Sequence, residues 1–134
     1  MKVLVRPFVG VGDIEFGMSK DECDSFLEGD GDTFLRVHGK PESAVTDYEA
    51  DGLFLSFDGD GGLKFVEVYG PSAIFSNVHL MGRPLQEVVE ALRASGVDGS
   101  PNDVGFMFPA HGFRLYAPNG KVEGVAVYRR GYYD

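Results

Sequence analysis

The stretch GLFLSFDGDGGLKFVEVYG, residues 52–70, admits two readings, and the choice between them decides the fold. Its centre, with Asp58 and Asp60 flanking a glycine and Gly61 and Gly62 behind them, has the composition of a calcium loop or of a tight turn. An EF-hand loop needs an oxygen ligand at its fifth position and a glutamate at its twelfth. Counted from Asp58 those positions hold Gly62 and Tyr69, and the similar GDGD at 29–32 has Phe34 fifth from Asp30. The flanks, by contrast, alternate with the two-residue period of strands. Asp60-Gly61 is a dipeptide preferred in type I′ hairpin turns. The segment reads as a β-hairpin, and no metal is expected on it.

Two copies of one plan extend outward from this hairpin. FGMSKDECDSFLEG (16–29) precedes it, and LMGRPLQEVVEALRASG (80–96) precedes VGFMFPAHGFRLYAPNGKVEGVAVYRRGYY (104–133). At an offset of 65, Gly17 matches Gly82, Glu22 matches Glu87, Cys23 matches Val88 and Leu27 matches Leu92. Further on, Gly52 matches Gly112, Asp60-Gly61 matches Asn119-Gly120, and Val66-Glu67-Val68-Tyr69 matches Val125-Ala126-Val127-Tyr128. Helix signal, glycine-bounded strand and ValxValTyr strand recur in one order, so a duplication within a single domain, 1–134, is expected, with units of about 14–70 and 78–130.

Local signals place the elements. Ser19 with Glu22 forms a capping box that starts a helix over roughly 20–28, expected to bury Cys23, Phe26 and Leu27. Pro84 suits a first helical position, Leu85, Val88, Val89 and Leu92 form an apolar stripe, and Gly96 closes the second helix. Strands are expected at 45–50, 53–57, 63–69, 104–108, 112–116 and 122–130, with a linking strand at 73–80. Val3, Val5 and Phe8 are expected on one face of a first strand. Connections this short exclude parallel crossovers. The expected class is α+β: two pseudo-repeats of a short helix plus an antiparallel meander, with both helices on one face of the sheet.

Alternation then separates two faces. Leu53, Leu55, Phe57, Val66, Val68, Phe113, Leu115, Val125 and Val127 can all face the helices. The other face would carry Phe54, Ser56, Phe65, Glu67 and Tyr69, then Arg114, Tyr116, Ala126, Tyr128 and Arg130, with Tyr132 and Tyr133 following. A sheet covered on one side is expected to be mostly polar on the other. Aromatics interleaved with charges are closer to the anatomy of a protein interface. The same face would serve self-association, or plain cross-strand aromatic packing.

Charge divides unevenly along the chain. Residues 1–67 hold 15 Asp/Glu against 6 Lys/Arg, and residues 68–134 hold 6 of each, so the whole formal charge of −9 lies in the first half. Free nucleic acid and anionic membrane are therefore disfavoured partners, and a basic protein is the natural complement. No apolar run approaches the roughly 18 residues of a membrane span. The start, MKVLVRPFVGVGD, is too short in apolar residues for a signal peptide, and the single Cys23 excludes an internal disulfide. A soluble, cytoplasmic protein is expected.

No catalytic constellation emerges. His38, His79 and His111 are scattered without metal-ligand spacing, and one cysteine cannot build a thiolate site. Cys23 occupies the position of Val88 in the repeat, a core position. GVGDIEFG at 10–17 lacks the strand and helix that frame a phosphate-binding glycine loop. No enzyme activity and no cofactor are expected.

The run FGMSKDECDSFLEG, then HGKP, then a meander resembles the superfamily of β-lactamase inhibitor proteins and small barrel-assembly lipoproteins. Its helix and Gly-x-Pro motifs match here at Gly17, Met18, Glu22, Leu27, Gly39 and Pro41, with Cys23 in place of the usual valine. The resemblance covers about 17–70, with a weaker echo at 82–130, and implies a tandem, helix-backed sheet with a recognition face. In size, acidity and lack of catalytic residues the chain is also similar to immunity proteins of bacterial toxin systems, which cover the active site of a basic toxin. The resulting expectation is a stoichiometric inhibitor or immunity-type binding module. Its anchors would be Phe54, Phe65, Tyr69, Tyr116 and Tyr128, with Glu67 and Tyr132 also in the contact and Asp30, Asp32, Asp58 and Asp60 as an acidic rim. The alternatives are a homodimer built on the same face and a small-ligand binder in its concavity.

Overall fold

Along the central hairpin the pleat sends Leu53, Leu55, Leu63, Val66 and Val68 to one side, where each is fully buried, and Phe54, Ser56, Phe65 and Glu67 to the other. The computed structural model describes residues 3–132. In chain order, β1 (Val5–Arg6), β2 (Gly10–Val11) and β3 (Ile14–Glu15) make a small antiparallel sheet, followed by α1 (Lys20–Asp24). Next come β4 (Asp32–Leu35), β5 (Ala44–Tyr48), β6 (Leu53–Phe57) and β7 (Leu63–Val68). A two-stranded hairpin, β8 (Ile74–Phe75) and β9 (Val78–His79), leads to α2 (Leu85–Ala94). The chain finishes with β10 (Ser100–Asn102), β11 (Gly105–Phe108), β12 (Phe113–Tyr116) and β13 (Gly124–Tyr128).

Eight of these strands form one antiparallel sheet in the order β10-β11-β12-β13-β7-β6-β5-β4. Cys23 of α1 and Val88 and Leu92 of α2 pack on the same face, together with Val5, Val11 and Ile14 of the small sheet. That cluster holds 23 buried residues, against a cluster of three, Phe65, Ala126 and Tyr128, on the opposite face, where Val45 is also buried. Full burial of one Leu or Phe side chain is worth roughly 1.5–3 kcal/mol, so the helix side carries most of the stability. Among the described residues no helix is long and apolar enough to cross a membrane.

One irregularity sets the face of a key side chain. Ser56 pairs with Phe65 but Phe57 pairs with Leu63, so Lys64 is an extra residue, a β-bulge. Strict alternation would put Leu63 and Phe65 on the same face. The bulge returns Leu63 to the core and leaves Phe65 outside it.

Several local expectations are corrected. The capping box forms as read: Glu22 N–H donates to Ser19 Oγ and Ser19 N–H to Glu22 Oε1, each at 3.1 Å. The helix it starts is only five residues long, because the i→i+3 bonds Phe26 N to Cys23 O and Leu27 N to Asp24 O tighten its end. Asp51 then accepts from the N–H groups of Glu28 and Gly29, and Phe26 is left 46% exposed instead of buried. The linking strand at 73–80 is a hairpin folded at Ser76-Asn77, both with positive φ, as a two-residue turn of its kind requires. Phe8 also has positive φ, and it leaves the face shared by Val3 and Val5 to pack on the opposite side of the large sheet.

The turn inside the opening stretch also differs in type. Positive φ falls on Gly61 alone, not on Asp60, and Gly61 N–H donates to Asp58 O. The Asp58 side chain organises it, with Oδ1 accepting from the N–H groups of Asp60 and Gly62 at 2.9 and 3.0 Å. The outer strands β4 and β10 give no alternation signal, the first because all four residues are exposed, the second because it is Ser-Pro-Asn.

Candidate functional site

The face of the large sheet away from the helices is open, and over β4–β7 its rings form a strip. Phe34 meets Phe54 edge-on, with centroids 6.2 Å apart, and Phe54 lies 4.6 Å from Tyr69. Register explains the grouping: Phe54 pairs with Asp47 on one side and Glu67 on the other, and cross-strand partners share a face. Tyr69 donates its hydroxyl to Asp47 Oδ1 at 2.6 Å. Burial, and then this bond to a carboxylate, pushes its phenol pKa up. Arg36 lies over Phe54, 5.5 Å from the ring centroid, with Nη2 3.5 Å from Glu67. Phe54, Glu67 and Tyr69 of the expected contact residues thus belong to one patch.

The β12–β13 side is different. Tyr132 stands 5.2 Å from Phe65 and 6.1 Å from Tyr128, and Phe8 packs on the same cluster beneath the guanidinium of Arg130 at 4.2 Å. Phe65 and Tyr128 lie on the face alternation assigned to them, but covered, with 6% and 5% exposure. Tyr132 and Phe8 are the surface they present. Tyr116, by contrast, is 48% exposed, beside a depression of about 200 Å³ bounded by Glu67, Arg114 and Ala126. Tyr133 lies outside the described residues.

Between the two ring groups runs a groove of about 390 Å³, lined by Arg36, Ser43, Ser56, Lys64, Arg114 and Tyr132. Three cations on one face of a chain with formal charge −9 make this face mixed in sign. The acidic residues stand around it in two separate places. Asp30 and Asp32 are exposed at the β4 edge, where Asp32 pairs directly with Asp47. Asp58 and Asp60 sit at the hairpin tip beside Gly17, Ser19 and Glu22, near the start of α1. Asp58 is bound to Arg129 at 2.6 Å, and that bond, followed by the Gly62 N–H, holds its carboxyl below the usual carboxylate range.

Sequence reasoning missed Phe34, Arg36, Asp47 and Lys64. β4 shows no buried alternation, so nothing marked Phe34 and Arg36 as face residues. The bulge that turns Lys64 outward has no local signature.

Chemistry elsewhere is sparse. Cys23 is buried, and burial followed by the charges of Asp24 and Glu22 raises its thiol pKa to about 11, far from a reactive thiolate. Tyr48, buried in the core, donates to Asp24, and the bond holds the Asp24 carboxyl low. His111 packs against Phe75 at 5.6 Å. Among the described residues no three His, Cys, Asp or Glu side chains converge on a metal position. Comparison with protein-family models, with curated proteins and with solved structures gives no match.

Proposed function

We propose that this chain is a non-catalytic protein-binding module of the inhibitor or immunity type, which engages a basic protein through the open sheet face. The observation that supports this reading is the half-open ring strip Phe34–Phe54–Tyr69 with Arg36 laid over it. An uncovered sheet face is ordinarily polar, and rings with an arginine are the residues that carry interface energy. The acidic first half supplies long-range attraction to a basic partner, while the groove cations Arg36 and Lys64 accept acidic side chains within the contact.

We also read the chain as a duplication, and this sharpens the assignment. Equivalent backbone bonds support it: Gly17 N to Leu63 O beside Gly82 N to Val122 O, and Tyr69 N to Gly52 O beside Tyr128 N to Gly112 O. Glu67 and Ala126 are equivalent in the repeat and also pair with each other across β7 and β13, as an internal two-fold would require. In the first unit Tyr69 is half open, while its counterpart Tyr128 is covered. The β4–β7 half is therefore the contact half.

The test is capture of the partner at low salt on immobilised protein, followed by titration of that partner against the Phe54→Ala/Tyr69→Ala variant. The expected result is binding that weakens with salt and falls at least tenfold in the variant, about 1.4 kcal/mol. Undiminished affinity in a folded double variant would refute the face assignment.

A further inference from the structure

The large sheet ends differently on its two sides. At one edge β10 carries Pro101, which has no N–H to offer. At the other, β4 is exposed along its whole length. Phe34, Leu35 and Val37 are three of the eight large exposed apolar side chains among the described residues. Open edges of this kind are ordinarily blunted; this one is short and carries Asp32, but has no proline and leaves Phe34 and Leu35 exposed.

The ladder phase shows what the edge offers. Arg36 N–H donates to Ser43 O on the β5 side, and Phe34 and Asp32 follow it at the strand's two-residue period. The backbone groups of Thr33 and Leu35 therefore point outward. On the open face Asp32 stands directly opposite Asp47, an unfavourable like-charge pair that a cation on the outer side of Asp32 would offset.

We propose that β4 pairs with β4 of a second copy of this chain, antiparallel and centred on Phe34, joining two sheets into one. This register is self-complementary. It sets Asp32 against Arg36 of the second copy, twice by symmetry, so the guanidinium that lies against Glu67 in its own chain also comes beside a carboxylate without a cation. Phe34 meets Phe34 at the two-fold axis as a close, non-hydrogen-bonded pair. Thr33 faces Leu35 of the second copy, and their outward N–H and C=O groups exchange hydrogen bonds in the correct phase. The pairing shares Phe34 and Arg36 with the strip assigned to the protein partner, but it is formed by this chain alone and is tested without that partner. If both hold, the dimer doubles the width of the recognition face.

Sedimentation velocity over roughly 10 µM to 1 mM tests the pairing, since an interface of this size is at the low end of stable ones. The expected result is a concentration-dependent dimer. Leu35→Pro, which removes an outward N–H without touching the β5 ladder, should abolish it. Arg36→Asp alone should weaken it at least tenfold, and the Asp32→Arg/Arg36→Asp exchange should restore it, because the pair is reciprocal. Phe34→Cys should give a disulfide-linked dimer on mild oxidation while buried Cys23 stays free. A strict monomer across the range overturns the proposal. So does a dimer indifferent to the proline and to the charge reversals. If Leu35→Pro misfolds, the exchange of two exposed charges decides alone.

Discussion

The guanidinium of Arg129 lies 2.6 Å from the carboxylate of Asp58, 71 residues earlier in the chain. Both oxygens of that carboxylate are engaged, Oδ2 by Arg129 and Oδ1 by the N–H groups of Asp60 and Gly62. The most chemical-looking residue of the opening stretch is therefore a strut joining the two halves of the sheet. Asp58→Ala should lower the melting temperature, and Arg129→Ala should lower it by less, because the turn bonds survive there. A double-mutant cycle by thermal melting checks the coupling; strict additivity of the two losses would mean the pair is not coupled.

Tyr128→Ala should cost about 3 kcal/mol of stability, the range for removing a buried ring. The ring is covered by Tyr132 and Phe8 although it faces away from the helices. Phe54→Ala, which trims a half-exposed ring, should cost about 1 kcal/mol. Urea unfolding of the two variants orders them, and equal losses would contradict the packing described.

Stability should depend on pH at both extremes. The bond from Tyr48 holds Asp24 below its ordinary pKa, and the bond from Arg129 does the same for Asp58. Below about pH 4 the unfolded chain therefore takes up protons before the folded one. That contribution is present above the ordinary carboxylate value and is lost as pH falls through the folded ones. Burial, then bonding to Asp24 and Asp47, raises Tyr48 and Tyr69. Their contribution is present below about pH 10 and is lost as pH rises further. Asp58→Asn should flatten the acid limb and Tyr69→Phe the alkaline limb, read as unfolding free energy against pH.

Gly52→Ala should destabilise by about 2 kcal/mol or more. Gly52 has φ +69, and an added Cβ would come within 2.6 Å of Gly70 Cα. Gly112, with φ +70, leaves only 2.8 Å to the Phe8 ring. A side chain can swing away where a backbone cannot, so Gly112→Ala should be the milder of the two in the same unfolding measurement.

How much was legible varies with the range of the interaction responsible. The Ser19–Glu22 box spans four residues and was readable at sight, whereas the chain after its helix is held by Asp51, 23 residues beyond Glu28. The assignment of Leu55, Val66, Leu115 and Val127 to one face followed from alternation alone. The strand at 73–80 failed because positive φ at Ser76 and Asn77 has no glycine to announce it. Of the expected contact residues, Phe54, Glu67 and Tyr69 share a strip, but Phe34 and Arg36, which complete it, come from a strand with no buried residue and the bend just after it.

The amino-acid sequence by itself determined the antiparallel sheet, the helix starts and the division of side chains between two faces. Those properties rest on backbone period, capping and turn chemistry, each settled within a few residues. Only the tertiary structure decided which rings on the open face are reachable. Tyr69 and Tyr128 each close a Val-x-Val-Tyr run on the same face of the sheet, yet one is half open and the other lies beneath Tyr132 and Phe8. Exposure depends on what the rest of the chain lays over a residue, and that is a long-range contact that no local pattern encodes.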